Sequence, residues 1–170
     1  MALQRVLIAG TRNATTGFTS SNALPSTTQT ATIVALANQI VVSSSTNVTD
    51  HLVVVTANVG AITPSASTLV NVFAYGSADG TTWPGSAAAT EFVNGTDKTL
   101  TLSTFGNNLK YVGSMVCHTA STAITSEPLS IAAAFAGAMP AAYQVVVQNA
   151  TTLALTASGA SVIAEEIYYS

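Results

Sequence analysis

At 170 residues the chain has room for one domain with a sizeable core, not for two. Only 6% of its residues are charged, against about 25% in an average soluble domain, and its formal net charge is −3. The four cations, Arg5, Arg12, Lys98 and Lys110, are scattered, which excludes a phosphate-neutralising nucleic-acid surface. The lone Cys117 excludes an internal disulfide framework, and no apolar tract approaches the length of a membrane helix.

The polar remainder is mostly Thr, Ser, Asn and Gln, so the surface is wetted by hydroxyls and amides. So little charge does little to keep copies apart, and obligate interfaces are depleted in charge; a subunit covered by neighbours is the expected context. No secretory leader is expected, because only four apolar residues separate Arg5 from Gly10. A soluble protein folded in a cytoplasm is expected.

Residues 2–9 alternate as a first strand, and 10–30 follow with almost no apolar periodicity. That long stretch reads as disorder, a surface loop or an extended arm on a neighbour. Phe18 and Leu24 are apolar pegs that favour the arm. The chain thus divides into an N-terminal strand and arm, 1–30, and a β-domain, 31–170. Residues 31–44, ATIVALANQIVVSS, fit strand better than helix because of their β-branched density, with a break near Asn38. A turn over 47–50 leads to a central strand, 51–59, apolar on both faces.

Residues 69–83, LVNVFAYGSADGTTW, organise the rest. Val70, Val72 and Ala74 point one way; Asn71, Phe73 and Tyr75 point the other. Asp79 and Gly80 supply turn chemistry, and Trp83, the only tryptophan, can fold back over the turn. A short edge piece over 91–93, a turn at Asn94-Gly95 and an alternating strand over 99–103 follow. In the strand over 109–118, Leu109, Tyr111, Met115 and Cys117 are expected to share a face.

Residues 126–140, SEPLSIAAAFAGAMP, read as the one helix, with Ser126 as N-cap, Pro128 in the first turn and Gly137 at its end. It is expected to plug one end of the fold. Strands over 142–148, 153–156 and 161–169 complete the pattern, with turns at 149–152 and Gly159. Turn signals about every ten residues predict an all-β fold: an antiparallel, jelly-roll-like β-sandwich with one short helix and a long N-terminal arm or loop.

No catalytic motif emerges. Cys117 and His118 are adjacent on a strand and so face opposite ways, which suits a buried thiol beside a surface imidazole. Glu165 and Glu166 diverge likewise; one is expected to face inward or into an interface, answered by Arg5 or Lys110. Asp50 beside His51 suggests turn capping. There is no nucleophile elbow, P-loop or zinc spacing, so neither enzyme activity nor a cofactor or metal is expected. The Asn-X-Ser/Thr triplets at Asn13, Asn47, Asn94 and Asn149 are read only as surface-loop signals.

The run GSADGTTW at 76–83 resembles the G-S-x-D-G-T-x-W strand-and-turn signature of discoidin-like carbohydrate-binding sandwiches and of many tailed-bacteriophage virion proteins. Residues 129–140, with their terminal Pro, precede YQVVVQNATTLAL at 143–155. That order is similar to the C-terminal pattern of small phage structural proteins. The phage resemblance implies a non-enzymatic capsid cement, or decoration, protein on the virion surface. It would be assembled in the host cytoplasm as a homo-oligomer, a trimer, against the major capsid protein. Phe18, Leu24, Tyr168 and Tyr169 are the candidate interface residues. The alternative is a carbohydrate-binding or receptor-binding tail module, with Tyr75 and Trp83 as the stacking platform.

Overall fold

A computed structural model of the chain describes residues 7–13, 32–35, 40–42, 47–58, 69–84, 98–101, 108–120, 123–151 and 161–169. Phe18, Leu24, the edge piece over 91–93, the Asn94-Gly95 turn and the strand over 153–156 lie outside these residues. The described strands are β1 (Leu7–Asn13), β2 (Thr32–Ala35), β3 (Ile40–Val41), β4 (Val48–Asn58), β5 (Leu69–Ser77) and β6 (Lys98–Thr101). They continue with β7 (Lys110–Val116), β8 (Ala123–Thr125), β9 (Leu129–Ser130), the short helix α1 (Ile131–Ala134), β10 (Ala142–Asn149) and β11 (Ser161–Tyr169). The described fold is therefore β-strands with very little helix, as the sequence pattern predicts.

Every pairing among the described residues is antiparallel. One sheet runs β1-β11-β4-β8, with β9 also on β4; the other runs β6-β2-β10-β5-β7, with β3 also on β10. Along β4, His51, Val53, Val55 and Ala57 are buried while Leu52, Val54 and Thr56 are half-buried, the period-two signature of a strand with one core face. Val53 and Val55 from β4 and Val162 and Ala164 from β11 enter one buried cluster with Val70 and Val72 of β5 and Val145 and Val147 of β10. Each such side chain contributes about 1.5–3 kcal/mol by leaving water.

Several elements depart from the sequence reading for identifiable reasons. β1 begins at Leu7 and runs past Gly10 to Asn13. Its pairing passes from Ala9–Ile167 to Arg12–Glu165, so Gly10 and Thr11 oppose Glu166 as a bulge, and the ladder continues where apolar periodicity stops. The turn expected over 47–50 is confined to Asn47, because β4 already starts at Val48. β2 and β3 both pair with β10; the break expected near Asn38 lies outside the described residues.

The helix is much shorter than predicted. Residues 123–130 run along the edge of β4, where β8 pairs with Thr56–Asn58 and β9 with Leu52–Val53. Between them Ser126 exchanges hydrogen bonds with Val55: its amide donates to the Val55 carbonyl at 2.8 Å, and its hydroxyl oxygen accepts the Val55 amide at 3.0 Å. An open strand edge offers more backbone partners than a helix start would, so Ser126 caps nothing. Ser130 is the N-cap instead, its hydroxyl oxygen accepting the Ala133 amide. The expected C-terminal signal holds: Gly137, at φ +89°, returns its amide to Ala132 at 2.7 Å. α1 packs against β4 of one sheet and β7 of the other, with Ile131 fully buried.

β7 also breaks the predicted alternation. Val72 pairs with Gly113 but Phe73 with Tyr111, which leaves Val112 as an extra residue. Met115 and Cys117 face the core, whereas Tyr111, across the bulge, is turned out. The face expected to be shared by Tyr111, Met115 and Cys117 is therefore split.

Candidate functional site

Three rungs on the outer face of β5 and β7 set two apolar pairs on either side of a polar one. Leu69 opposes Val116, Asn71 opposes Ser114, and Phe73 opposes Tyr111. Leu69, Tyr111 and Val116 are 40%, 57% and 49% exposed. The Phe73 and Tyr111 rings meet edge to face with centroids 5.7 Å apart. Exposed Lys110 stands next to Tyr111 at the strand start, on an edge strand of the described sheet. Sequence reasoning missed this strip because it placed Tyr111 inside; Gly113 within a strand was the available sign of a bulge.

The other sheet carries a shallow groove on its outer face, floored by Leu52, Val54 and Ile163 and bounded by Thr56, Thr125 and Glu165. Thr56 and Thr125 join their hydroxyls at 3.1 Å across the strands. Of the candidate interface tyrosines, Tyr168 pairs in backbone register with Ile8 and Val48, and Tyr169 with Leu7.

The loop after β5 is built by Asp79. Its carboxylate accepts the Thr81 and Thr82 amides at 2.8 and 2.6 Å, and Gly80 takes φ +77°. Ser77 completes the turn, accepting the Gly80 amide at 3.0 Å and donating to the Thr82 carbonyl at 2.6 Å. These donors hold the Asp79 carboxyl well below its ordinary range. The turn delivers Trp83 onto Tyr75: the rings are stacked, 6° from parallel with centroids 5.4 Å apart, and the Tyr75 hydroxyl donates to the Pro84 carbonyl. Tyr75 is fully buried and Trp83 only 4% exposed. The structure thus brings the two predicted aromatics together, but as a buried pair that offers no free ring face to a sugar.

A second group was not foreseen. His51 of β4 and Tyr143 of β10 meet between the sheets, with Nδ1 2.9 Å from the Tyr143 hydroxyl and the rings edge to face. His51 Nε2 lies 3.7 Å from Glu166 Oε1. Glu166 is therefore the inward-facing member of its pair and faces His51; Arg5, one of the two cations expected to answer a glutamate here, lies outside the described residues. Asp50, beside His51, accepts the Ser130 hydroxyl at 2.6 Å and the Ala132 amide at 2.8 Å, so it serves the start of α1. His51 and Tyr143 are both fully buried.

Cys117 is buried and His118 exposed, as their alternation predicts; burial pushes the thiol up to about 11. Among the described residues no group of three His, Cys, Asp or Glu side chains could hold a metal ion. Asn149 departs from its surface-loop reading: it is 2% exposed, and its side-chain oxygen accepts the Thr151 amide at 2.9 Å. No protein-family model, no curated protein and no solved structure matches the chain.

Proposed function

We propose that this chain is a structural subunit of a tailed-bacteriophage virion, a capsid cement or decoration protein with a jelly-roll-like β-sandwich fold. It sits on the shell as a homotrimer and has no enzymatic role. One observation carries the reading: a chain with 6% charged residues displays the apolar rungs Leu69–Val116 and Phe73–Tyr111 on an outer face. Exposed apolar strips of this kind mark interaction surfaces, and tyrosine suits them because it buries area while keeping a polar tip.

The mechanism is mechanical. Apolar and hydroxyl-rich faces bridge adjacent major capsid subunits, and binding to the assembled shell in preference to the disassembled one stabilises it by mass action. Phe18, Leu24, Tyr168 and Tyr169 are the contact residues that the sequence supplies, and Leu69, Tyr111 and Val116 join them. Electron microscopy of the parent particle tests the reading. Density for this chain on the capsid lattice is the expected result; density confined to the tail overturns it. Native mass measurement of the isolated protein tests the trimer separately.

A further inference from the structure

The one fully buried imidazole of the described residues joins the two sheets. Neutral histidine carries a single N–H, and here each ring nitrogen faces a different neighbour. The Glu166 carboxylate near Nε2 favours the tautomer with its hydrogen on that nitrogen, which leaves Nδ1 to accept from the Tyr143 hydroxyl. Nε2 has no hydrogen-bond partner within bonding distance, so the imidazole is held on one side only.

We infer that His51 is an acid-sensitive latch between the sheets: protonation of its imidazole reverses the hydrogen bond to Tyr143 and loosens the packing of β4 against β10. An imidazolium donates from both nitrogens. Tyr143 must then accept at its oxygen, and its own hydrogen must turn elsewhere in a site where, among the described residues, the hydroxyl bonds to His51 alone.

The surrounding ionisable groups decide the direction. On β4 the Asp50 carboxylate is committed to Ser130 and Ala132. On β11 Glu166 faces Nε2, and on β10 Tyr143 stays protonated because burial pushes its phenol far up. α1 brings no acid to its first turn and no base to its last, and β3 sets only Ile40 opposite Tyr143. Burial disfavours the imidazolium more than Glu166 and Asp50 favour it, so His51 titrates below its ordinary 6.5. A base depressed in the folded state leaves stability intact above pH 6.5. Stability is then lost as pH falls, because the unfolded chain takes up the proton first.

The test is a histidine NMR titration of the whole protein from pH 7.5 to 5, with His118→Gln assigning the two imidazoles, beside urea unfolding at each pH. The expected His51 midpoint lies below 6.5, with Tyr143 ring signals moving at the same midpoint. The folding equilibrium constant falls about tenfold per pH unit between the two midpoints, and His51→Gln removes that slope. A His51 midpoint at or above 6.5, Tyr143 signals that stay still, or an unchanged slope in His51→Gln overturns the latch. Should His51→Gln fail to fold, the wild-type titration decides alone.

Discussion

One carboxylate on β4, that of Asp50, receives the Ser130 hydroxyl at 2.6 Å, and the same serine oxygen receives the Ala133 amide at 3.0 Å. The start of α1 is thus anchored to a strand eighty residues earlier in the chain. Ser130→Ala is expected to cost about 0.5–2 kcal/mol, the usual range for a lost N-cap. Because Asp50 acts partly through Ser130, the Asp50→Asn and Ser130→Ala costs should fall short of additivity in a double-mutant cycle read by urea unfolding. Additive costs would show that the two residues act independently.

Two strand glycines make room for the segment around α1. A Cβ on Gly76 would lie 2.6 Å from the Phe135 ring and 3.2 Å from Pro140; one on Gly113 would lie 2.6 Å from the end of Leu129. The Cβ on Gly76 would meet two neighbours, Phe135 and Pro140, whereas the one on Gly113 would meet only the Leu129 side chain. Gly76→Ala is therefore expected to destabilise by about 1–3 kcal/mol through overpacking. Gly113→Ala should be milder, offset by the roughly 0.5–1 kcal/mol gained when a strand glycine is replaced. Thermal unfolding of the two variants ranks them, and the reverse order would refute this account of the packing.

Trp83 is the only tryptophan, so its fluorescence reports directly on the Tyr75 stack. Tyr75→Phe keeps the stack and loses the bond to the Pro84 carbonyl, at an expected cost of about 0.5–1.5 kcal/mol with unchanged emission. Tyr75→Ala should shift the emission to the red and cost about 3–5 kcal/mol. Unshifted emission in Tyr75→Ala would mean that other groups hold Trp83 away from water.

The Cys117 thiol, buried and raised to about 11, should be almost inert to a disulfide reagent at pH 8 in the folded protein. Unfolding in urea should release its full reactivity. Equal rates in both states would contradict its placement on the core face of the strand.

Asp79 supplies a second pH dependence, distinct from that of His51. A carboxyl whose folded pKa is depressed contributes its full stability above the ordinary 3.8 and loses it progressively as pH falls from there to the depressed value. Its carbon resonance should still report the ionised form at pH 3.8. Protonation there at the ordinary value would show that the Thr81 and Thr82 amides do not hold it.

Much of the β-pattern is legible locally. The alternation of 69–77, the Asp79-Gly80 turn and the opposed Cys117 and His118 follow from side-chain period and turn chemistry, which act within a few residues. The extent of α1, the outward turn of Tyr111 and the meeting of His51, Tyr143 and Glu166 do not. Residues 126–130 have the composition of a helix start, yet the edge of β4 takes them. The single extra residue at Val112 reverses which face Tyr111 occupies, and nothing local sets where that bulge falls.

The sequence by itself determined that strands form, that Asp79 and Gly80 turn the chain and how little charge it carries, because those properties reside in neighbouring residues. Only the tertiary structure decided which strand edges were open, where bulges absorbed a register mismatch and which polar groups met between sheets. Those outcomes depend on partners dozens of residues away, and on the requirement that every buried backbone group find one.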